Sequence, residues 1–204
     1  MGLLLVATRR GLLAVAAVCG STFVLAHVRA QVYTALEQHR LDSVLSGEGP
    51  GASGPSPAAA GRARAESHPG RAWGRLEVPR LGVSALVAEG VDERTLAVAV
   101  GHFPGSAFPG EGGNVALAGH RDGAFRALEE ILPEDALLLT TPDGVFEYRV
   151  EWLAIVDTGR TDVVAPTDEP RLTLVTCYPF EYVGRAPLRY VVRARAVERP
   201  APDV

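Results

Sequence analysis

From Trp73 onward the sequence is a succession of short apolar runs separated by glycine, proline and aspartate. Such runs, rich in β-branched and large apolar residues, predict strands. Seven strands are predicted, at 76–78, 84–87, 114–118, 136–141, 145–156, 171–176 and 188–197. Helical turns are predicted at 93–98 and 124–131. The Asp143-Gly144 pair predicts a tight hairpin with positive φ. Many short strands with little helix predict an all-β domain, either a closed barrel or a sandwich.

The N-terminal part of the chain has a different character. Residues 11–28 carry no Asp, Glu, Lys or Arg, and Arg9 and Arg10 precede them. These eighteen residues would form about 27 Å of helix, close to the bilayer core of about 30 Å. The charges predict a cytoplasmic N-terminus at 1–10, a single transmembrane anchor at 11–28 and a body on the extracytoplasmic side of the cytoplasmic membrane.

A cleaved signal peptide is the alternative, since Val28-Arg29-Ala30 places small residues at the spacing of a cleavage site. The length of the apolar run favours a retained anchor. A juxtamembrane segment and a linker follow at 29–72, with a short helix predicted at 33–45 and a Gly/Pro/Ala/Ser-rich stretch from Ser46. The folded domain is predicted at 73–199, with a tail at 200–204.

Charge and cysteine content exclude several classes of function. The net charge of −4 is too small to indicate nucleic-acid binding. All basic residues are arginine, so the chain offers no lysine amine as an acceptor. Of its two cysteines, Cys19 falls in the apolar segment and Cys177 in the domain, so a disulfide between them would have to join the bilayer to the domain. Cys177 is therefore expected to be a free, reactive thiol; the alternative is a buried core cysteine.

Three residues of complementary chemistry occur in the order His120, Cys177, Arg189. Cys177 follows the predicted strand at 171–176, and His120 follows the strand at 114–118 and a glycine. A thiol, an imidazole and a guanidinium are the groups needed for acyl transfer through a thioester. Alternation places Arg189 on the same strand face as Arg193 and Arg195, so parity alone does not single it out.

Several segments together resemble the sortases, and class D sortases most. These are 74–79, 101–106, 113–122, the run Thr173-Leu174-Val175-Thr176-Cys177, and Ala186-Pro187-Leu188-Arg189-Tyr190-Val191-Val192. The resemblance covers residues 73–197 and implies a closed sortase barrel of seven to eight strands with short helices, preceded by one transmembrane helix. It aligns Arg189, rather than its neighbours, with the family's arginine. One departure is the single Phe125, where the family tends to have paired phenylalanines.

The resemblance implies a membrane-anchored cysteine transpeptidase. Its substrates would be exported proteins with an LPxTG-like C-terminal sorting signal, and its acceptor an amine of a cell-wall peptide or of a lysine in another subunit. Cys177 would be the nucleophile, His120 the proton donor and acceptor, and Arg189 the partner of the oxyanion. No cofactor, metal or nucleic acid is expected.

Further residues are expected near the substrate. The loop at 157–170 is polar and suited to peptide recognition. Asp122 would either orient the His120 ring or cap the helix predicted near Ala124. His102 falls in a Gly/Pro-rich loop, where it is either solvated or close to the site. The expected substrate-binding residues are Ala118, Thr176, Tyr178, Asp122 and His102.

Three other classes remain as alternatives. A papain-like hydrolase has its histidine after its cysteine, and no histidine follows Cys177. An L,D-transpeptidase has a Ser-x-Gly-Cys motif, which is missing here. A catalytically inactive, membrane-tethered binding domain would tolerate replacement of Cys177.

Overall fold

The computed structural model describes residues 68–197 and eleven helical residues between Gly20 and His39. The predicted anchor at 11–28 lies mostly outside the described residues, as do the linker and the tail. Within the described part of the chain, no helix combines the length and apolar character needed to cross a membrane. The chain divides into two units, Met1–Leu36 and Glu37–Val204, and every strand among the described residues lies in the second.

Residues 68–197 contain eight strands that close into one barrel. The strands are β1 (Ala72–Val78), β2 (Val83–Glu89), β3 (Val100–His102), β4 (Asn114–Ala118), β5 (Ala136–Thr141), β6 (Gly144–Asp157), β7 (Arg171–Tyr178) and β8 (Leu188–Ala196). Their order around the barrel is β1-β2-β3-β4-β7-β8-β6-β5, and β5 pairs with β1 to close it. The β2–β3 and β4–β7 pairs are parallel and the others antiparallel. The all-β barrel is confirmed, and the sandwich is excluded.

The short helices lie close to their predicted positions. Helix α1 (Glu93–Leu96) begins after Asp92, whose side chain accepts hydrogen bonds from the backbone N–H groups of Arg94 and Thr95 at 3.0 and 3.3 Å. The predicted turn at 124–131 is a 3₁₀ helix at Arg126–Glu130. Two further 3₁₀ helices lie at Pro79–Leu81 and Asp162–Val164.

The hairpin between β5 and β6 has two loop residues, because Thr141 pairs with Gly144. Gly144 has a φ of +127°, whereas Asp143 keeps a negative φ. The Asp143 N–H donates to Thr141 Oγ1 at 3.0 Å, so a side chain completes the turn. The hairpin thus forms where it was predicted, with positive φ at the glycine alone.

Strand alternation separates the barrel core from the outer face, where the candidate functional residues lie. Val115 and Leu117 of β4, Leu172 and Leu174 of β7, and Val192 and Ala194 of β8 belong to the core cluster. The intervening residues of these three strands therefore point outward. Cys177 and Arg189 belong to this outward set, on neighbouring strands.

Candidate active site

Cys177 and Arg189 lie directly opposite each other in the antiparallel β7–β8 pair. Opposed residues on one face of such a pair have Cβ atoms about 4.5–5.5 Å apart. The thiol is half-buried and forms no disulfide. Because it lies on the outer face, the alternative of a buried core cysteine is wrong. Arg189 is half-buried too, and its Nη1 donates to the carbonyl oxygens of Leu188 and Ala186 at 3.0 and 3.5 Å.

The register separates Arg189 from the other arginines on its strand face. Arg193 lies opposite Thr173 and Arg195 opposite Arg171. At about 3.3 Å per residue, these positions are about 13 and 20 Å along the strand from the Cys177 pair. Arg189 is therefore the arginine of β8 that the sheet places beside the thiol.

His120 is held beside the end of β7 through the glycine that precedes it. The parallel β4–β7 ladder runs to Ala118 opposite Val175. Beyond it, the Gly119 N–H donates to the Val175 carbonyl at 3.1 Å, and Thr176 Oγ1 donates to the Gly119 carbonyl at 2.7 Å. The imidazole of His120 is solvent-exposed. These bonds bring His120 to the strand that carries Cys177, so β4, β7 and β8 each contribute to one end of the outer face.

Gly119 is needed because a phenyl ring packs against its backbone. Phe125 is fully buried, and a Cβ at position 119 would lie 2.7 Å from its ring. Real Cβ atoms essentially never approach so closely. The φ of Gly119 is not positive. The close approach of Phe125, and not a left-handed backbone, is therefore the reason for glycine at this position.

Two of the expected substrate-binding residues flank Cys177 and have other contacts. Thr176 is 3% exposed, and its hydroxyl donates a hydrogen bond to the Gly119 carbonyl. It supports the backbone next to His120 and does not line a groove. Tyr178 packs against the core and stacks on Tyr190 with ring centroids 6.3 Å apart. Phe180 meets Tyr178 edge-on at 6.0 Å, so an aromatic cluster closes this end of the barrel.

Ala118 and Asp122 lie on either side of His120 in sequence. Ala118 is half-buried on the outer face of β4, opposite Val175, so it is placed to line a groove. Asp122 is exposed. The 3₁₀ helix that follows has Phe125 as its N-cap and no side-chain cap, so the capping interpretation of Asp122 is wrong.

The loop position expected for His102 is wrong, because this residue ends β3 and is fully buried. Its Nδ1 lies 2.7 Å from Glu89 Oε2, and its Nε2 lies 2.8 Å from Ser106 Oγ. The ring also meets Trp73 edge-on at a centroid distance of 5.4 Å. The ring has no surface open to a peptide. The Gly/Pro-rich loop begins after His102.

Two arginines that the sequence did not single out hold the β7–β8 loop (residues 179–187). Arg121 Nη2 donates to the carbonyls of Tyr182 and Gly184, the latter at 3.0 Å. Arg126 forms an ion pair with Glu181 at 2.7 Å. The segment after His120 thereby holds the loop after Cys177. Arginine content alone could not have indicated this, because the partners are mostly backbone carbonyls.

Comparison with known proteins identifies the family. The sequence matches the sortase domain over residues 76–197. It is 35% identical over 163 residues to sortase D of Bacillus subtilis (strain 168), covering 79% of this chain and 82% of that protein. The chain belongs to the sortase family. This sortase is thus a cysteine transpeptidase, which excludes the papain-like and L,D-transpeptidase alternatives.

Solved structures agree with this assignment. The sortase barrel is similar to a sortase D5 transpeptidase of Clostridium perfringens, with a TM-score of 0.61 and 29% identity over 70% of this chain and 89% of that one. It is also similar to sortase E1 of Streptomyces coelicolor, which has a tripeptide in its active site, with a TM-score of 0.58 and 27% identity over 65% and 91% of the two chains. The resemblance to class D sortases is confirmed.

Proposed function

We propose that this sortase cleaves an LPxTG-like sorting signal near the C-terminus of exported proteins and transfers the new acyl end to an amine. Cys177 is the nucleophile, His120 the general acid and base, and Arg189 the oxyanion partner. The observation that carries the proposal is the cross-strand pair of Cys177 and Arg189, with His120 following a glycine that is bonded to the same strand.

In the first half-reaction the Cys177 thiolate attacks the carbonyl carbon of the threonine in the signal. Arg189 donates hydrogen bonds to the carbonyl oxygen as it becomes negative, a role suited to a permanently charged planar group. The C–N bond then breaks, and the imidazolium of His120 gives its proton to the departing amine. The product is a thioester on Cys177.

In the second half-reaction an incoming amine attacks the thioester carbonyl. Neutral His120 accepts the amine proton, Arg189 again binds the oxyanion, and the C–S bond breaks to restore the thiolate. The acceptor is an amine of a cell-wall peptide or a lysine of another protein. Since this chain contains no lysine, it cannot be its own lysine acceptor.

The proposed site of action is the outer surface of the cytoplasmic membrane. The apolar segment at 11–28, preceded by Arg9 and Arg10, supports a single-pass anchor with its N-terminus inside. The segment at 46–72 is rich in Gly, Pro, Ala and Ser, which supports a linker that lets the barrel reach substrates anchored nearby.

The test is transfer by the full chain, incubated with a library of LPxTG-like peptides and hydroxylamine as the amine, with hydroxamate products detected by mass spectrometry. Cys177→Ala should abolish transfer. The matched control is Cys19→Ala, which removes the chain's other thiol and should leave transfer unchanged. Transfer that survives Cys177→Ala would contradict the proposal.

A further inference from the structure

The β6–β7 loop (residues 158–170) crosses the outer face of the barrel and is bonded to strands on both sides of β7. Val163 is central to these contacts, because its carbonyl accepts from Arg193 Nη2 of β8 at 2.6 Å and from Asn114 Nδ2 of β4 at 3.4 Å. Asn114 Nδ2 also donates to the Ala165 carbonyl at 3.0 Å. Since β7 lies between β4 and β8, the loop lies over β7.

Thr173 of β7 orients the asparagine from beneath the loop. Its Oγ1 donates to Asn114 Oδ1 at 2.6 Å, and the two residues are 0% and 1% exposed. The side-chain oxygen of Asn114 thus accepts a hydrogen bond from Thr173, and its side-chain nitrogen donates to two carbonyls of the loop. Removing one member of such a buried network leaves an unsatisfied polar group, which is costly. We call Asn114, Thr173 and Arg193 the loop latch.

The loop latch lies at a defined distance from the thiol. Thr173 and Cys177 share the outer face of β7 four residues apart, or about 13 Å at about 3.3 Å per residue. Between them lie half-buried Val175 and, opposite it on β4, half-buried Ala118. An extended peptide whose reacting carbonyl lies at Cys177 would therefore meet the loop after about four residues.

We infer that Thr173 and Asn114 are positioning residues for the transpeptidation reaction. They fix the β6–β7 loop across β7 as the closed end of the peptide groove, and so hold the residues of the sorting signal that precede the scissile bond. They act through the loop and touch no reacting atom. The inference rests on the proposed function, because the groove is defined by a peptide that reacts at Cys177.

The experiment compares Thr173→Val with Thr173→Ser in the full chain. Valine has a similar shape but lacks the hydroxyl, so Asn114 Oδ1 loses its partner, whereas serine keeps the donor. We expect amide hydrogen exchange in the loop, at Val164 and Ala165, to become roughly fivefold faster in Thr173→Val. We expect KM for the peptide to rise by roughly the same factor, while kcat and the rate of Cys177 alkylation change less than about twofold. Thr173→Ser should behave as wild type.

A matched control separates the loop latch from general loss of stability. Thr141→Val removes another buried hydroxyl, which contacts the backbone of the β5–β6 hairpin. It should leave loop exchange and KM unchanged. The inference is overturned if Thr173→Val changes neither the exchange rate of the loop amides nor the KM for the peptide. It is also overturned if Thr173→Ser or Thr141→Val raises KM as much as Thr173→Val does. A wild-type chain that transfers no peptide would instead overturn the proposed function, and with it the role of Thr173 in peptide binding. Hydrogen exchange in the loop would still decide whether Thr173 holds the loop.

Discussion

At the scale of single residues, the site depends on which arginine of β8 is available to the thiol. Arg193 donates to the Val163 carbonyl and lies over the Trp152 ring, with its guanidinium carbon 5.2 Å from the ring centroid. Arg195 forms an ion pair with Glu134 at 3.0 Å. Arg189 lies opposite Cys177, and within the described residues 68–197 its guanidinium donates only to local backbone carbonyls. Its guanidinium can therefore turn to a substrate without breaking an ion pair.

Replacing Arg189 should lower turnover without unfolding the barrel. Arg189→Met removes the proposed oxyanion donor, so kcat for peptide transfer should fall by roughly 10²–10³. Arg189→Lys keeps the charge but loses the planar fork, and should recover only part of that loss. The matched control is Arg195→Met, on the same strand face, which should transfer at close to the wild-type rate. If kcat fell equally in the Arg189 and Arg195 variants, the position of Arg189 opposite Cys177 would not explain its effect.

The sequence singled out the candidate reactive residues but not the residues that support them. Cys177, His120 and Arg189 carry recognisable chemistry in a recognisable order. The roles of Thr176 and His102 depend on which side of the barrel wall each side chain faces, and neighbouring residues on a strand face opposite ways. The role of Gly119 depends on the approach of Phe125, which no local pattern specifies.

At the scale of secondary-structure elements, an ion pair ties the 3₁₀ helix at Pro79–Leu81 to the start of β5. Arg80 binds both carboxylate oxygens of Asp135, with Nη2 to Oδ2 at 2.7 Å. The Leu132 N–H donates to the same carboxylate at 2.8 Å. Hydrogen bonding from Arg80 lowers the pKa of Asp135 below its usual value, although burial acts in the opposite direction.

In acid, the free energy of unfolding of the Asp135→Asn variant should depend less on pH than that of the wild type. Because the pKa of Asp135 is lower in the folded state, its carboxylate stabilises the fold above about pH 4 and loses this effect as pH falls through the folded pKa. Urea unfolding at pH 7 should give the variant a free energy of unfolding about 1–2 kcal/mol below that of the wild type. This difference should narrow by pH 3. Asp162→Asn, at an exposed ion pair with Arg160, is the control and should change little. A gap that widens in acid would contradict this account.

The sequence predicted β2 and β4 to β8 well and β1 and β3 poorly. Each end of strands β2 and β4 to β8 lies within two residues of its prediction. Strand β3 was missed, since it has three residues and one is glycine. Strand β1 was predicted too short because its pairing with β2 is irregular between Ala72 and Gly74, which interrupts the alternation. The loop latch joins β4, β7 and β8 through contacts between distant residues, so no local pattern could indicate it.

At the scale of the whole molecule, barrel closure gives the site a rigid frame. Strands β4, β7 and β8 are adjacent in the sheet although β5 and β6 separate them in sequence. The β4–β7 ladder brings His120 beside β7, and the β7–β8 ladder places Arg189 opposite Cys177. The segments that follow His120 and Cys177 are joined through Arg121 and Arg126. We propose that this frame serves one covalent reaction, at Cys177.

The mass of the enzyme during turnover tests this proposal. The full chain would be incubated with a reactive LPxTG-like peptide without an added amine, quenched in acid, and analysed by intact mass spectrometry and peptide mapping. We expect an added mass equal to the acyl part of the peptide, located on Cys177 and released when hydroxylamine is added. Peptide cleavage without an adduct on Cys177, or an adduct on another residue, would contradict it.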